Sequence, residues 1–321
     1  MSFGRYYRGF DSFQRRHAWL GFPFAVFQKY SDDQGGYLTA TITYYGFFSF
    51  FPLLLVFTTI LGFVLQGHRH LQTTIIDSAL GQLPVIGHEL KTHSLNGSGL
   101  GLAVGIVASL WAGMRGVLAA ENAMNQLWGV PHKRRPDFFR ARGRALLLLV
   151  VLGGGTLAST ILAGAGTFGA HYGIAWKIGS IALSTVLNFL LFWLAFRVLT
   201  ARDVSWRTLR GGAIAAAILY EILQTLGGYY VGHTLRNASN VYGTFALVIG
   251  LLSWIYLGVH VTLLAAEGNV VAARRLWPRS FSVVFEQPAT PADKRALTQR
   301  GQVEERRQDE DIDVSFTEQK R

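Results

Sequence analysis

The chain has 321 residues, of which 50% are hydrophobic and only 15% are charged, whereas a soluble domain is usually about 25% charged. It contains no cysteine, which excludes a disulfide framework and a thiolate metal site. Its 36 glycines favour closely packed membrane helices. Its net charge of +11 favours basic loops facing anionic lipid rather than a nucleic-acid-binding protein.

The first 38 residues combine basic and aromatic side chains. The stretch from Phe10 to Tyr30 predicts a short helix lying at the membrane surface, with a break at Pro23 because proline lacks the backbone donor. We expect no cleavable signal peptide, since the first apolar run is too long for one.

Six apolar runs follow, each long enough to cross a hydrocarbon core of about 30 Å. They predict an all-α, polytopic membrane protein with one transmembrane domain at 39–273, after an N-terminal cytoplasmic or interfacial segment at 1–38. Pro52 predicts a kink in the first run, with Tyr44, Ser49 and Pro52 facing the bundle interior. The tail at 274–321 is basic and poor in large apolar residues, which predicts disorder. The six spans are expected at about residues 39–65, 100–120, 145–168, 174–199, 209–231 and 244–271.

The basic residues predict the orientation. Twenty-five Lys and Arg lie in the N-terminal segment, in the loops after the second and fourth runs and in the tail, whereas four lie on the opposite side. Because basic loops stay in the cytoplasm, we expect both termini there. Segment 66–98 is then external, and its apolar residues at helical spacing before Pro84 predict an amphipathic helix on the outer surface.

The second run carries a polar stripe that includes Trp111, Arg115, Asn122 and Gln126. We expect Arg115 to point into the bundle toward an acidic or carbonyl partner, with Glu267 or Glu221 as candidates, and to line a cavity open to the cytoplasm. The alternative is that Arg115 only anchors the helix by extending to the headgroups.

Other polar side chains within or at the ends of the runs either pair structurally or line a substrate or proton pathway. Both interpretations stay open from sequence. The candidates besides Arg115 are Glu121, Asn122, Asn188, Glu221, His260 and Glu267.

No recognisable catalytic or metal-binding constellation accompanies them. The stretch from His88 to His93 has one residue too many for a zinc-protease motif, and the chain has neither a phosphate-binding glycine loop nor a nucleophile elbow. We therefore expect no metal and no cofactor.

Several motifs resemble the YihY/BrkB family of bacterial inner-membrane proteins. They are Thr39-Ala-Thr-Ile-Thr-Tyr-Tyr-Gly-Phe-Phe-Ser-Phe-Phe-Pro-Leu54, Ser109-Leu-Trp-Ala-Gly-Met-Arg-Gly-Val117, Val241-Tyr-Gly-Thr-Phe245, Leu252-Ser-Trp-Ile-Tyr256 and Leu264-Ala-Ala-Glu-Gly-Asn269. The last departs from the family's usual Leu-Gly-Ala-Glu by one small-for-small change. The resemblance implies a six-helix inner-membrane protein linked to transport of lipid or lipopolysaccharide precursors and to serum resistance. The family also carries an older label as a tRNA-processing ribonuclease.

The leading hypothesis is a transporter or flippase-like protein for a lipid or amphipathic anion. The alternatives are a non-transporting membrane scaffold and an enzyme at the cytoplasmic face, such as the ribonuclease of the older label. The expected partners are membrane lipids and an amphipathic anionic substrate, and the sequence leaves a homo-oligomer open.

Overall fold

The computed structural model describes residues 11, 13–64, 99–168, 174–201, 204–230, 244–280 and 289–316. Its named helices are α1 (Ala18–Asp32), α2 (Gly35–Val64), α3 (Gly99–Leu127), α4 (Phe138–Phe168), α5 (Ile174–Leu199), α6 (Trp206–Tyr230), α7 (Thr244–Arg274) and α8 (Pro291–Val303). Each of the six apolar runs lies in one of the helices from α2 to α7. The predicted external helix in 66–98 lies outside the described residues.

Both prolines expected to disturb helices lie inside continuous ones. The predicted break at Pro23 is wrong, because α1 runs through it. Pro23 is only the sixth residue of α1, so the missing amide removes one hydrogen bond near a helix start, to the carbonyl of Trp19. Likewise α2 is a single helix through Pro52, whose side chain lies outside the described part.

The six long helices form a closed ring. Each of α2 to α7 packs against the next along the chain, and α7 returns to pack against α2. The shorter α1 lies against α7 and α2. The connections from α3 to α4 and from α5 to α6 are short, which favours antiparallel packing of those neighbours.

Among the described residues, the larger hydrophobic core lies at one end of this ring, which we call the basal end. There α2, α4 and α6 begin and α3, α5 and α7 end. Its buried side chains come from α3 to α7 and from the segment after α7: Leu127, Leu148, Phe196, Leu209, Leu263, Val270 and Leu276.

The outer surface of the ring is apolar. Large side chains such as Val107, Leu147, Leu226 and Ile249 are exposed there. In the described part of the chain, two stretches are long and apolar enough to cross a membrane, Ala182–Leu199 and Val248–Arg274, and only 17% and 22% of their residues are buried. That low burial separates them from core helices of soluble proteins, whereas the number of spans stays a prediction.

The C-terminal segment differs from the predicted disorder. Helix α8 begins with a capping box between Thr290 and Asp293, and Pro291 follows the cap. A capping box followed by proline at the first helical position stabilises a helix even when the helix has few large apolar residues. Small side chains, Ala292 and Ala296, are buried, and Gln299 donates a hydrogen bond of 3.3 Å to the carbonyl of Leu127. Within the tail, residues 291–303 therefore form an ordered helix packed on the basal end.

Candidate functional site

Charged side chains meet inside the basal end, between α1 and α7. Lys29, Asp33 and Glu267 are only 2%, 4% and 0% exposed. The ammonium of Lys29 pairs with the carboxylate of Asp33, lies 3.7 Å from Oε2 of Glu267 and donates to the carbonyl of Leu127 at 3.2 Å. We call Lys29, Asp33 and Glu267 the basal polar centre.

Local sequence explains how α1 supplies two of these groups. Lys29 and Asp33 are four residues apart, so they share one face of the helix end. The amide of Asp33 donates to the carbonyl of Lys29 at 2.9 Å, which continues the helical turn. The next residue, Gln34, has a φ of 56°. This left-handed residue separates α1 from α2 and leaves Asp33 directed at α7.

A second set of polar contacts borders the centre. The hydroxyl of Tyr30 lies 2.7 Å from Oγ1 of Thr39 and 2.8 Å from Nδ1 of His260. The rings of Tyr30 and His260 meet edge to face at a centroid distance of 4.9 Å. These bonds join α1, α2 and α7 next to the centre.

The electrostatic environment of the centre is unusual, because two carboxyl groups share a single ammonium. Burial raises the pKa of Asp33, and the neighbouring Lys29 opposes that rise. Neither carboxylate oxygen of Glu267 has a hydrogen-bond donor among the described groups. Buried polar atoms in native proteins are nearly always hydrogen-bonded, so a buried Glu267 carboxylate without any hydrogen-bond donor is exceptional.

Two asparagines have a different role, which is to link helix ends. Asn269 on α7 accepts a hydrogen bond of 2.7 Å from the amide of Gly212 and donates to the carbonyl of Leu209 at 3.2 Å. Asn125 on α3 accepts from the amide of Ala201 at 2.8 Å. Both asparagines are buried, and both satisfy backbone groups near helix ends, which fits a structural function.

Arg115 does not point into the bundle as expected. Its side chain is exposed, and its guanidinium lies over the ring of Trp111, 5.0 Å from the ring centre. Trp111 is itself 59% exposed. The polar stripe of α3 therefore faces outward in this region, because the inward positions are occupied by small residues, Ala112 and Gly113, that pack closely.

The remaining predicted residues are distributed over several places. Glu267 belongs to the basal polar centre, and His260 bonds to Tyr30 beside it. Glu121 is buried and experiences the charge of Arg135, whose Nη1 donates to the exposed Asn122 at 2.6 Å.

Two further candidates, Asn188 and Glu221, are half-buried on α5 and α6. Tyr44, which we expected to face the interior, is 57% exposed, whereas Ser49 is buried. Within the described ranges, no group of three His, Asp or Glu side chains is arranged to hold a metal ion.

Sequence reasoning missed Lys29 and Asp33. Lys29 lies in the stretch from Phe10 to Tyr30 that predicts an interfacial helix, and Asp33 follows that stretch outside any apolar run. The spacing of four residues between opposite charges was the available signal, although such pairs usually lie on solvated surfaces. The contact with Glu267, more than 230 positions away, could not be inferred from spacing.

A family model described as virulence factor BrkB matches residues 26–281. Among individual relatives, the chain is 26% identical over 271 residues to a protein named as ribonuclease-like, YfkH of Bacillus subtilis, which covers 80% of this chain and 96% of the relative. It is 27% identical over 283 residues to the inner membrane protein YhjD of Escherichia coli, which covers 78% of this chain and 81% of the relative.

A third relative is a UPF0761 membrane protein of Stenotrophomonas maltophilia, 32% identical over 180 residues, which cover 55% of this chain and 42% of the relative. No solved structure matches the chain. The family match extends from α1 to the segment after α7, so it includes the whole ring and the basal polar centre. The chain therefore belongs to the BrkB family and is an integral membrane protein.

Proposed function

We propose that the protein moves a lipid or another amphipathic anion across the inner membrane, and that the outer face of α3 guides the charged headgroup. In this proposal the six helices α2 to α7 span the bilayer, and the basal end, where the basic segments lie, faces the cytoplasm. The observation that carries the proposal is the exposed Arg115, which lies on an otherwise apolar surface.

The position of Arg115 along α3 makes that exposure costly without an anion. Arg115 lies 12 residues before the end of α3, or about 18 Å at about 1.5 Å per residue. Val107 and Leu110, on the same outer side, are exposed and apolar. An arginine inside the hydrocarbon region costs about 3 kcal/mol on insertion scales, and a lipid phosphate offers a partner that offsets this cost.

The neighbouring aromatic ring supports headgroup recognition. The guanidinium is planar and can bind a phosphate with two parallel hydrogen bonds. Trp111 holds one face of the guanidinium by a cation–π contact, which leaves its edge available to an anion. Closer to the basal end, the guanidinium of Arg135 lies beside Asn122 on the same stripe. The two arginines mark a route along the outside of α3.

The test is transbilayer movement of a fluorescent phosphatidylglycerol in proteoliposomes of phosphatidylethanolamine and phosphatidylglycerol. We expect Arg115→Ala to reduce the initial rate at least tenfold at unchanged protein yield. Arg115→Lys should restore only part of the rate, because an ammonium cannot bind phosphate in the two-bond geometry. The matched control is Arg140→Ala, since Arg140 is an exposed arginine on α4 paired with Asp137 at 3.5 Å.

Each alternative has a distinct outcome. If the wild-type protein moves no lipid and no amphipathic anion, the transport proposal is wrong and the scaffold hypothesis is favoured. Normal transport by Arg115→Ala would mean that Arg115 only anchors α3. Cleavage of RNA by the purified protein would favour the enzyme hypothesis.

A further inference from the structure

The basal polar centre contains more acidic groups than basic ones. Lys29 provides one positive charge, and Asp33 and Glu267 provide two carboxyl groups. If all three were ionised, one negative charge would lie uncompensated among side chains that are at most 4% exposed. Burying an unpaired charge is so costly that the group usually becomes neutral instead.

The titratable groups that the structure describes around the centre do not remove this imbalance. On α1, Asp32 adds negative charge, and its carboxylate is engaged by the guanidinium of Arg279 at 2.7 Å. Tyr30 and His260 bond to each other, and the ring of Tyr256 stacks on that of His260. Helix α3 supplies the carbonyl of Leu127, which accepts a hydrogen bond from Lys29 and carries no net charge. From α2 the contribution is the uncharged hydroxyl of Thr39.

Hydrogen bonding leads to the same conclusion. The carboxyl groups of Asp33 and Glu267 are neighbours, because both lie against one ammonium: Lys29 pairs with Asp33 and is 3.7 Å from Oε2 of Glu267. Two neighbouring carboxylates cannot hydrogen-bond to each other, because neither has a hydrogen to donate. One proton would convert the contact into an O–H···O⁻ bond, which is among the strongest in proteins. It would also give a hydrogen-bond partner to one oxygen of Glu267, whereas neither oxygen otherwise has a donor among the described groups.

We propose that Asp33 and Glu267 bind one proton between them at neutral pH, and that the basal polar centre is a proton-binding site joining α1 to α7. With one proton bound, the remaining carboxylate balances Lys29 and the centre is neutral. Loss of the proton leaves a buried negative charge between the two helices and weakens their contact. This inference does not depend on the transport proposal.

The test is infrared difference spectroscopy of the purified full-length protein in nanodiscs, with the C=O stretching band of a protonated carboxylic acid as the readout. The wild-type protein should show this band at neutral pH and lose it in alkali. Glu267→Gln and Asp33→Asn should each abolish it, although each removes only one carboxyl group. In either variant the remaining carboxylate has Lys29 to itself and ionises.

Two further variants test whether the band comes from Asp33 and Glu267. Lys29→Met should strengthen the band, because both carboxyl groups then lack a cation and both become protonated. Glu305→Gln is the matched control, since Glu305 is a buried carboxylate paired one to one with Lys133 at 2.9 Å, and it should leave the band unchanged. A wild-type protein without the band at neutral pH overturns the proposal. So does a Glu267→Gln protein, folded by size-exclusion chromatography, that retains the full band.

Discussion

Removal of the Asp293 carboxylate should release α8 from the basal end. Its two oxygens accept hydrogen bonds from Nε of Arg279 at 3.0 Å and from the amide and hydroxyl of Ser280 at 3.1 and 2.7 Å. They also accept from the amide and hydroxyl of Thr290 at 2.9 and 2.7 Å. One carboxylate therefore closes the capping box of α8 and fixes this helix to the segment after α7. Asp293→Ala removes all five interactions.

The expected cost follows from these contacts. Loss of an N-terminal cap usually costs about 1 kcal/mol, and removing one partner of a buried ion pair costs about 3–5 kcal/mol. Arg279 retains Asp32 at 2.7 Å, so the lower end of that range applies. We expect undocking of α8 to become about 3 kcal/mol more favourable, which is roughly a 100-fold change in equilibrium at about 1.4 kcal/mol per tenfold.

Hydrogen–deuterium exchange of residues 291–303 measures this change directly. Asp293→Ala should accelerate exchange in α8 by roughly that factor and leave α7 protected. The matched control is Asp309→Ala, because Asp309 pairs with Arg307 at 3.0 Å on the surface, where such pairs contribute little. Equal exchange of α8 in wild type and Asp293→Ala would refute the argument that this carboxylate fixes the helix.

The same contact predicts an acid-sensitive docking of α8. Burial raises the pKa of Asp293, but hydrogen bonds from Ser280, Thr290 and Arg279 outweigh burial and hold it below its usual value. A lowered pKa in the folded state stabilises docking above the unfolded pKa of about 3.9, and that stability is lost as pH falls through the folded value. The protection of α8, measured against its intrinsic exchange rate at each pH, should therefore fall in acid for the wild type and depend less on pH in Asp293→Asn.

Two further predictions concern packing and topology. Gly212→Ala should lower the melting temperature, because the added Cβ would lie 2.3 Å from the side chain of Asn269 on α7. Gly211→Ala is the control that should be tolerated, because its Cβ would lie 3.7 Å from the same side chain. A cysteine at Ser94 should react with an impermeant reagent added outside cells and one at Ser315 should not, and reaction of both would overturn the proposed topology.

The helices of the ring were predictable from sequence because each contains a long apolar run. Positions along such a run do not determine which face turns outward, and Arg115 illustrates this. Its polar neighbours Asn122 and Gln126 suggested an interior stripe. Packing instead placed small residues, Ala112 and Gly113, inside and left Arg115 exposed beside Trp111. Periodicity indicates a stripe, whereas residue size determined its direction.

Contacts between distant segments were the main part that the sequence did not reveal. Glu267 was a candidate from its place in an apolar run, but its partner Lys29 lies in a segment that reads as a surface helix. Helix α8 was missed because its stability depends on a capping carboxylate, Asp293, and on small buried side chains rather than on an apolar stripe. In both cases a charged residue that looks solvated in the sequence is buried by another segment.

We propose that this integral membrane protein moves an amphipathic anion across the bilayer. The most direct measurement is the fraction of a fluorescent phosphatidylglycerol, present in both leaflets of proteoliposomes, that a membrane-impermeant reductant can bleach. Vesicles containing the wild-type protein should lose nearly all fluorescence, because inner-leaflet lipid reaches the outside during the assay. If bleaching stops at the outer leaflet, as in protein-free vesicles, the protein does not move this lipid and the transport proposal is wrong for phospholipid anions.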